Sequence, residues 1–135
     1  MNYLLDTSVL SQAIKNLPLP RVVERWSSLP ESQLKTSSFC IAELLQGLEA
    51  RDSATYWRRY RNLIEPYYRG LPFTDAVAQT YAQLHARLKT KGQPRPALDL
   101  LIAATAVHHD LVLATLNVKD FFEIPDLRLE DWSAG

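Results

Sequence analysis

Cysteine and methionine each occur once in this sequence of 135 residues, glycine occurs four times, and neither sign of charge is in surplus. Each scarcity closes off a class of protein. The single cysteine, Cys40, forbids an internal disulfide and a multi-cysteine metal site, and it reads as a small buried hydrophobe. With so few glycines there is no glycine-rich phosphate loop, and no acidic pair stands beside the first apolar run. A nucleotide-binding or receiver-like module therefore lacks its hallmarks. Lys and Arg total 15 and Asp and Glu total 15, so the whole molecule does not attract nucleic acid. Any such binding has to come from a local patch. No apolar run approaches the ~20 residues needed to cross a bilayer. No basic leader followed by an apolar stretch and a cleavage site opens the chain. A cytoplasmic protein without membrane contact is the expectation.

What is present is an ordinary globular composition, 47% apolar and 22% charged. The length suits one domain over residues 1–135 with its own core. Short apolar runs alternate with longer stretches of helical period, the pattern of an α/β fold with a mainly parallel sheet. Strands are expected over Asn2–Asp6, Gln33–Ser37, Tyr68–Phe73, "LVLAT" and "LRLEDW". Helices are expected over Ser8–Lys15, around Val22, Val23 and Trp26, over Ser38–Arg51, and from Asp52 to Pro66. A long one runs from a Thr74 cap to Gly92, and another covers "ALDLLIAATAVHHD". The Ser38–Arg51 helix and its successor form a helical hairpin beside an α/β/α sandwich. Phe121, Phe122 and Trp132 read as packing residues, and His108 and His109 suit a helix C-terminus.

The carboxylates carry the chemistry. Asp6 directly follows Tyr3-Leu4-Leu5. With Thr7 and Ser8 it can cap the next helix, or it can stand at the carboxyl edge of a central strand, where open α/β sheets bind ligands. Asp99 interrupts the apolar "ALDLLIAATAV" just after Pro96. A helix dipole favours an acid there, yet a desolvated carboxylate needs a basic partner or a cation. Glu43 points off the Ile41, Leu44, Leu45 and Leu48 face of its helix. Alone it is a solvated glutamate, but that helix also opens at the strand edge. Asn117 and Asp120 follow "LVLAT" on the same edge. Three carboxylates cannot share a small pocket ionised without a countercharge. An oxygen-only set without His or Cys points to Mg²⁺ or Mn²⁺.

Together, "LLDTSVLS", "AELLQG", "ALDLLIAATA", "LATLNVKDF" and "IPDLRLEDW" resemble the PIN-domain ribonucleases, and among them the VapC-type toxins of bacterial toxin–antitoxin pairs. The resemblance runs in order from Asn2 to Trp132. It implies a PIN-like three-layer α/β/α sandwich with a protruding helical hairpin. It also implies an acidic pocket of Asp6, Glu43 and Asp99 and Mg²⁺-dependent RNA cleavage, with a cognate antitoxin and a homodimer. Ser8 and Thr115 match polar positions lining the family's pocket. The fourth acidic position of many relatives falls on Asn117, which leaves Asp120 as a substitute ligand.

Two further surfaces bear on partners. Lys89, Lys91 and Arg95 precede Asp99 and are placed to meet RNA phosphates at the pocket mouth. The hairpin residues Leu44, Leu48, Trp57 and Tyr60 are the candidate antitoxin groove. The arginines of "YWRRYR" offer charge and stacking planes for RNA, or are simply solvated. A catalytically silent partner-binding scaffold and a nuclease acting on DNA are the competing functional readings.

Overall fold

The centre of the molecule is set by two short apolar strands, β1 (Tyr3–Leu5) and β4 (Val112–Thr115), whose residues are all buried. A strand buried on both faces has no reason to alternate, so both are runs rather than patterns. They lie side by side in a five-stranded sheet ordered β3-β2-β1-β4-β5, where β2 is Leu34–Ser37, β3 is Gly70–Leu71 and β5 is Arg128–Asp131. Every pairing is parallel, with Tyr3 opposite Leu34 on one side and Val112 on the other. All five strands therefore end at one edge. The computed structural model describes residues 1–133.

Helices cover both faces, as a parallel sheet requires. They are α1 (Thr7–Leu10), α2 (Pro20–Ser27), α3 (Ser38–Arg51), α4 (Ala54–Arg59), α5 (Asp75–Thr90), α6 (Ala97–His108) and α7 (Val118–Phe121). Side-chain caps start several of them: Ser37 for α3, Ser53 for α4 and Thr74 for α5. Gly92, at φ 69°, ends the α5 region in the left-handed conformation that glycine adopts without strain. The helix α6 is apolar on nearly every side because residues 102–106 are all buried. Among the described residues no helix is long and apolar enough to cross a membrane.

The structure departs from the sequence expectations at five places. The first helix is split, α1 passing into a 3₁₀ turn over Ser11–Ile14. The segment after α4 widens into a π-helical turn over Tyr60–Ile64, with both of those residues in the core. The third strand shrinks to two residues, because Pro72 has no amide to donate. Two one-turn helices, α7 and the 3₁₀ turn Glu31–Gln33, are too short to show a period. Phe122 is 57% exposed rather than packed. It is the extended C-cap residue of α7, and its neighbour Phe121 takes the core position.

Gly70 lets β3 approach the start of α3. A Cβ built there would lie 2.6 Å from Ser38 Cα and 2.7 Å from Ser38 N. Neither backbone atom can move without shifting α3. Gly70→Ala is therefore expected to destabilise the fold by about 1–3 kcal/mol, read as a lower urea midpoint.

Candidate acidic active site

Asp6 leaves β1 still tied to the sheet, its N–H donating to the Ala114 carbonyl at 3.1 Å. Its side chain then starts α1, accepting from the Val9 N–H at 3.1 Å. Both sequence readings hold at once, since the residue caps a helix and stands at the carboxyl edge of a central strand. It is only 4% exposed. Two hydroxyls hold the carboxylate, Ser8 Oγ donating to Oδ1 at 2.5 Å and Thr115 Oγ1 donating to Oδ2 at 2.5 Å. Each hydroxyl in turn accepts a backbone amide, from Leu116 at 3.0 Å and from Asn117 at 2.9 Å. With the acceptor side of each hydroxyl taken, its proton is directed at Asp6. Burial pushes the Asp6 carboxyl above its ordinary value of 3.8, while the bonds from Ser8, Thr115 and Val9 pull it back.

Asp99 lies in the first turn of α6 and is half-buried. Burial raises its pKa, and the charges of Asp120, Glu43 and Asp6, in that order, push it the same way. Acids from three other segments thus act on Asp99. The ion pairs of the described residues, Arg25–Glu130, Arg87–Asp126 and Arg128–Asp110, all lie elsewhere. Glu43, half-buried on α3, is held by Thr7, whose Oγ1 donates to Oε1 at 2.7 Å. Sequence reasoning used Thr7 only as a cap residue. The available signal was its place between Asp6 and Ser8. Asn117 is exposed at the N-cap position of α7 and makes no side-chain capping bond.

The donor chemistry fits a hard divalent cation, being oxygen-only and rich in charge. Among the described residues no three His, Cys, Asp or Glu side chains are arranged to hold an ion by themselves. Mg²⁺ commonly takes one or two carboxylates and completes its shell with water and substrate phosphate. Cys40 is not a ligand candidate. Burial raises its thiol to about 11, and Ser37 holds it.

The model of the PIN domain matches residues 3–127. The chain belongs to the PIN-domain family. It is 37% identical over 125 residues to the toxin FitB of Neisseria gonorrhoeae, which covers 88% of this chain and 90% of that protein. It is 32% identical over 135 residues to the tRNA(fMet)-specific endonuclease VapC of Salmonella typhimurium, with 98% of each covered. The crystal structure of FitAcB from Neisseria gonorrhoeae superposes with a TM-score of 0.87 at 34% identity, covering 96% of this chain and 97% of that one.

The other candidate residues of this PIN domain divide. Lys89 and Lys91 are exposed. Arg95 is fastened to backbone, donating to the carbonyls of Gln93 at 3.0 Å and Phe122 at 2.5 Å. Leu44 and Leu48 line an apolar groove of about 240 Å³ with Ile14, Gly47 and Tyr56, and Thr7 and Glu43 stand at the same groove. Trp57 lines a separate cleft with Arg58 and Arg61, and Tyr60 is buried in the core. Of the four residues grouped from sequence as one groove, only Leu44 and Leu48 line it, while Trp57 and Tyr60 pack edge-to-face on each other at 6.0 Å.

Asp99 generates a stability prediction. Its raised pKa means that ionisation costs the folded state more than the unfolded one, so the penalty grows as pH rises through 3.8 and is complete above the folded value. Asp99→Asn removes that cost. The metal-free variant is expected to melt above wild type at pH 7 in EDTA. The gain should vanish below pH 3.8, where both side chains are neutral.

Proposed function

We propose that this PIN domain is the toxin of a bacterial toxin–antitoxin pair and a Mg²⁺-dependent endoribonuclease that works in the cytoplasm as a homodimer. The observation that carries the reading is the Asp6, Glu43, Asp99 and Asp120 cluster, whose charges raise Asp99 and which no described ion pair neutralises. Family membership supports it, as do relatives named as toxins and endonucleases.

Asp6 and Asp99 would hold the cation, with Glu43 sharing that task or orienting the attacking water. Mn²⁺ suits the same ligands. When bound, the cation supplies Lewis acidity to the scissile phosphate and to water. Ser8 and Thr115 aim the Asp6 carboxylate and offset part of its burial, and Thr7 aims Glu43. Asn117 can donate from its amide to a phosphate oxygen, and Asp120 is the substitute fourth acid. Water attacks phosphorus in line, leaving a 3′-hydroxyl and a 5′-phosphate. No side chain forms a covalent bond.

Total cellular RNA incubated with the protein should show new 5′-phosphate ends in Mg²⁺ and none in EDTA. Thr115→Ala removes a support of Asp6, and such losses typically cost about 10–100-fold. Asp6→Asn and Asp99→Asn remove ligand charge and should cost more than that while the fold persists. Wild-type cleavage in either Asn variant would sink the assigned site. A folded wild type that cleaves no RNA yet binds an antitoxin would favour the silent-scaffold reading.

The groove beside Glu43 is the place for an antitoxin segment, because its apolar walls run up to the acids. A Cβ at Gly47 meets nothing within 4 Å, and that residue lines the groove. Gly47→Phe should fill the groove and leave RNA cleavage intact. Inhibition by the cognate antitoxin should weaken at least about tenfold, within the usual cost of overpacking. Unchanged inhibition in a titration of cleavage against antitoxin would assign the antitoxin to another face.

A further inference from the structure

Phe122 breaks the pattern of the C-terminal aromatics. Phe121 and Trp132 are 3% and 2% exposed, whereas Phe122 is 57% exposed. It stands two residues past Asp120, whose charge acts on Asp99. Single exposed apolar residues are common and by themselves mean little. Here, however, the backbone that carries the ring is fastened on several sides. Arg95 Nη2 donates to the Phe122 carbonyl at 2.5 Å, Gln93 Nε2 donates to Glu123 Oε2 at 3.3 Å, and Arg87 pairs with Asp126 at 2.8 Å. Glu123 and Asp126 adopt left-handed φ of 63° and 64°, uncommon for non-glycine residues. Each supplies one of those acceptors.

The loop from 122 to 126 is thereby laced to the end of α5 and the segment before α6. That same region presents Lys89 and Lys91 to solvent, and Lys119 is exposed on α7. An exposed ring on a tied backbone, in a region that also carries exposed lysines and is joined through Arg95 to the segment leading into Asp99, matches single-stranded nucleic acid. Phosphates meet the lysines and a base meets the ring. A backbone already tied loses little freedom when a base stacks on the ring it carries.

We propose that Phe122 is a stacking platform for an unpaired nucleobase of the RNA beside the scissile phosphate. The inference rests on the RNA-cleaving reading above and adds to it a residue that binds substrate without touching the reacting atoms.

The test measures binding in EDTA, in the Asp99→Asn background of the full chain, by anisotropy of two labelled probes. One is a short single-stranded oligoribonucleotide, and the other is an abasic ribose-phosphate chain of equal length. Phe122→Ala should weaken binding of the first about tenfold, within the range for loss of one base stack, and leave the second unchanged. Phe122→Trp should bind the first at least as tightly as its parent. The inference is overturned if Phe122→Ala binds RNA like its parent, or if both probes weaken equally, which would mean a displaced loop. Full binding by Phe122→Leu would also overturn it, since apolar bulk without a ring would then suffice. A parent that binds neither probe overturns the RNA reading as well, whereas RNA binding indifferent to residue 122 removes this inference alone.

Discussion

A carboxylate buried at the edge of a parallel sheet has to be hydrogen-bonded, and the arrangement that does so at Asp6 organises the rest of the molecule. Its two hydroxyl partners come from α1 and from the last residue of β4. Satisfying them requires β4 to lie directly beside β1 with Leu5 opposite Ala114. Once those strands are neighbours, β2 and β5 take the outer positions and every carboxyl end faces the same way. Glu43, Asp99 and Asp120 then arrive near Asp6 as a result of topology.

The folded state gathers this charge at a cost. Burial and mutual repulsion both disfavour the ionised form of Asp99, and removing one acid should relieve the strain on the metal-free protein. A site built that way favours whatever brings positive charge to it, whether a cation, a basic side chain or both. On the proposed reading this has a regulatory side. The apolar groove and the acidic cluster share Thr7 and Glu43. A segment lying in the groove therefore reaches Glu43, one of those acids.

Much of this was legible in the sequence because the signals were local. The bounds of α3, the cap at Thr74 and the buried run of β4 follow from short patterns that report backbone preference directly. The convergence of Asp6, Glu43 and Asp99 was legible for a different reason, since each follows or opens an element at the carboxyl edge of one sheet. What could not be read depends on distance in space. Thr7 gains its role from Glu43, 36 residues away. Arg95, a phosphate contact in sequence, is occupied by the carbonyl of Phe122, which lies 27 residues on. Phe121 and Phe122 are identical as letters, and only the end of a one-turn helix decides which enters the core. Tyr60 and Trp57 keep the contact their helical spacing implies, but neither lines the groove with Leu44 and Leu48.

The sheet order has a bearing on how the protein is made. The bond between Thr115 and Asp6 spans 109 residues, and β5 joins the sheet only through β4. A nascent chain therefore carries Asp6 for 109 residues before it gains the hydroxyl that completes its environment. Contacts of such separation form late, after the loop-closure entropy has been met. The acidic cluster is consequently among the last features to assemble. A growing chain on its ribosome stays without a formed pocket at least until Thr115 has emerged.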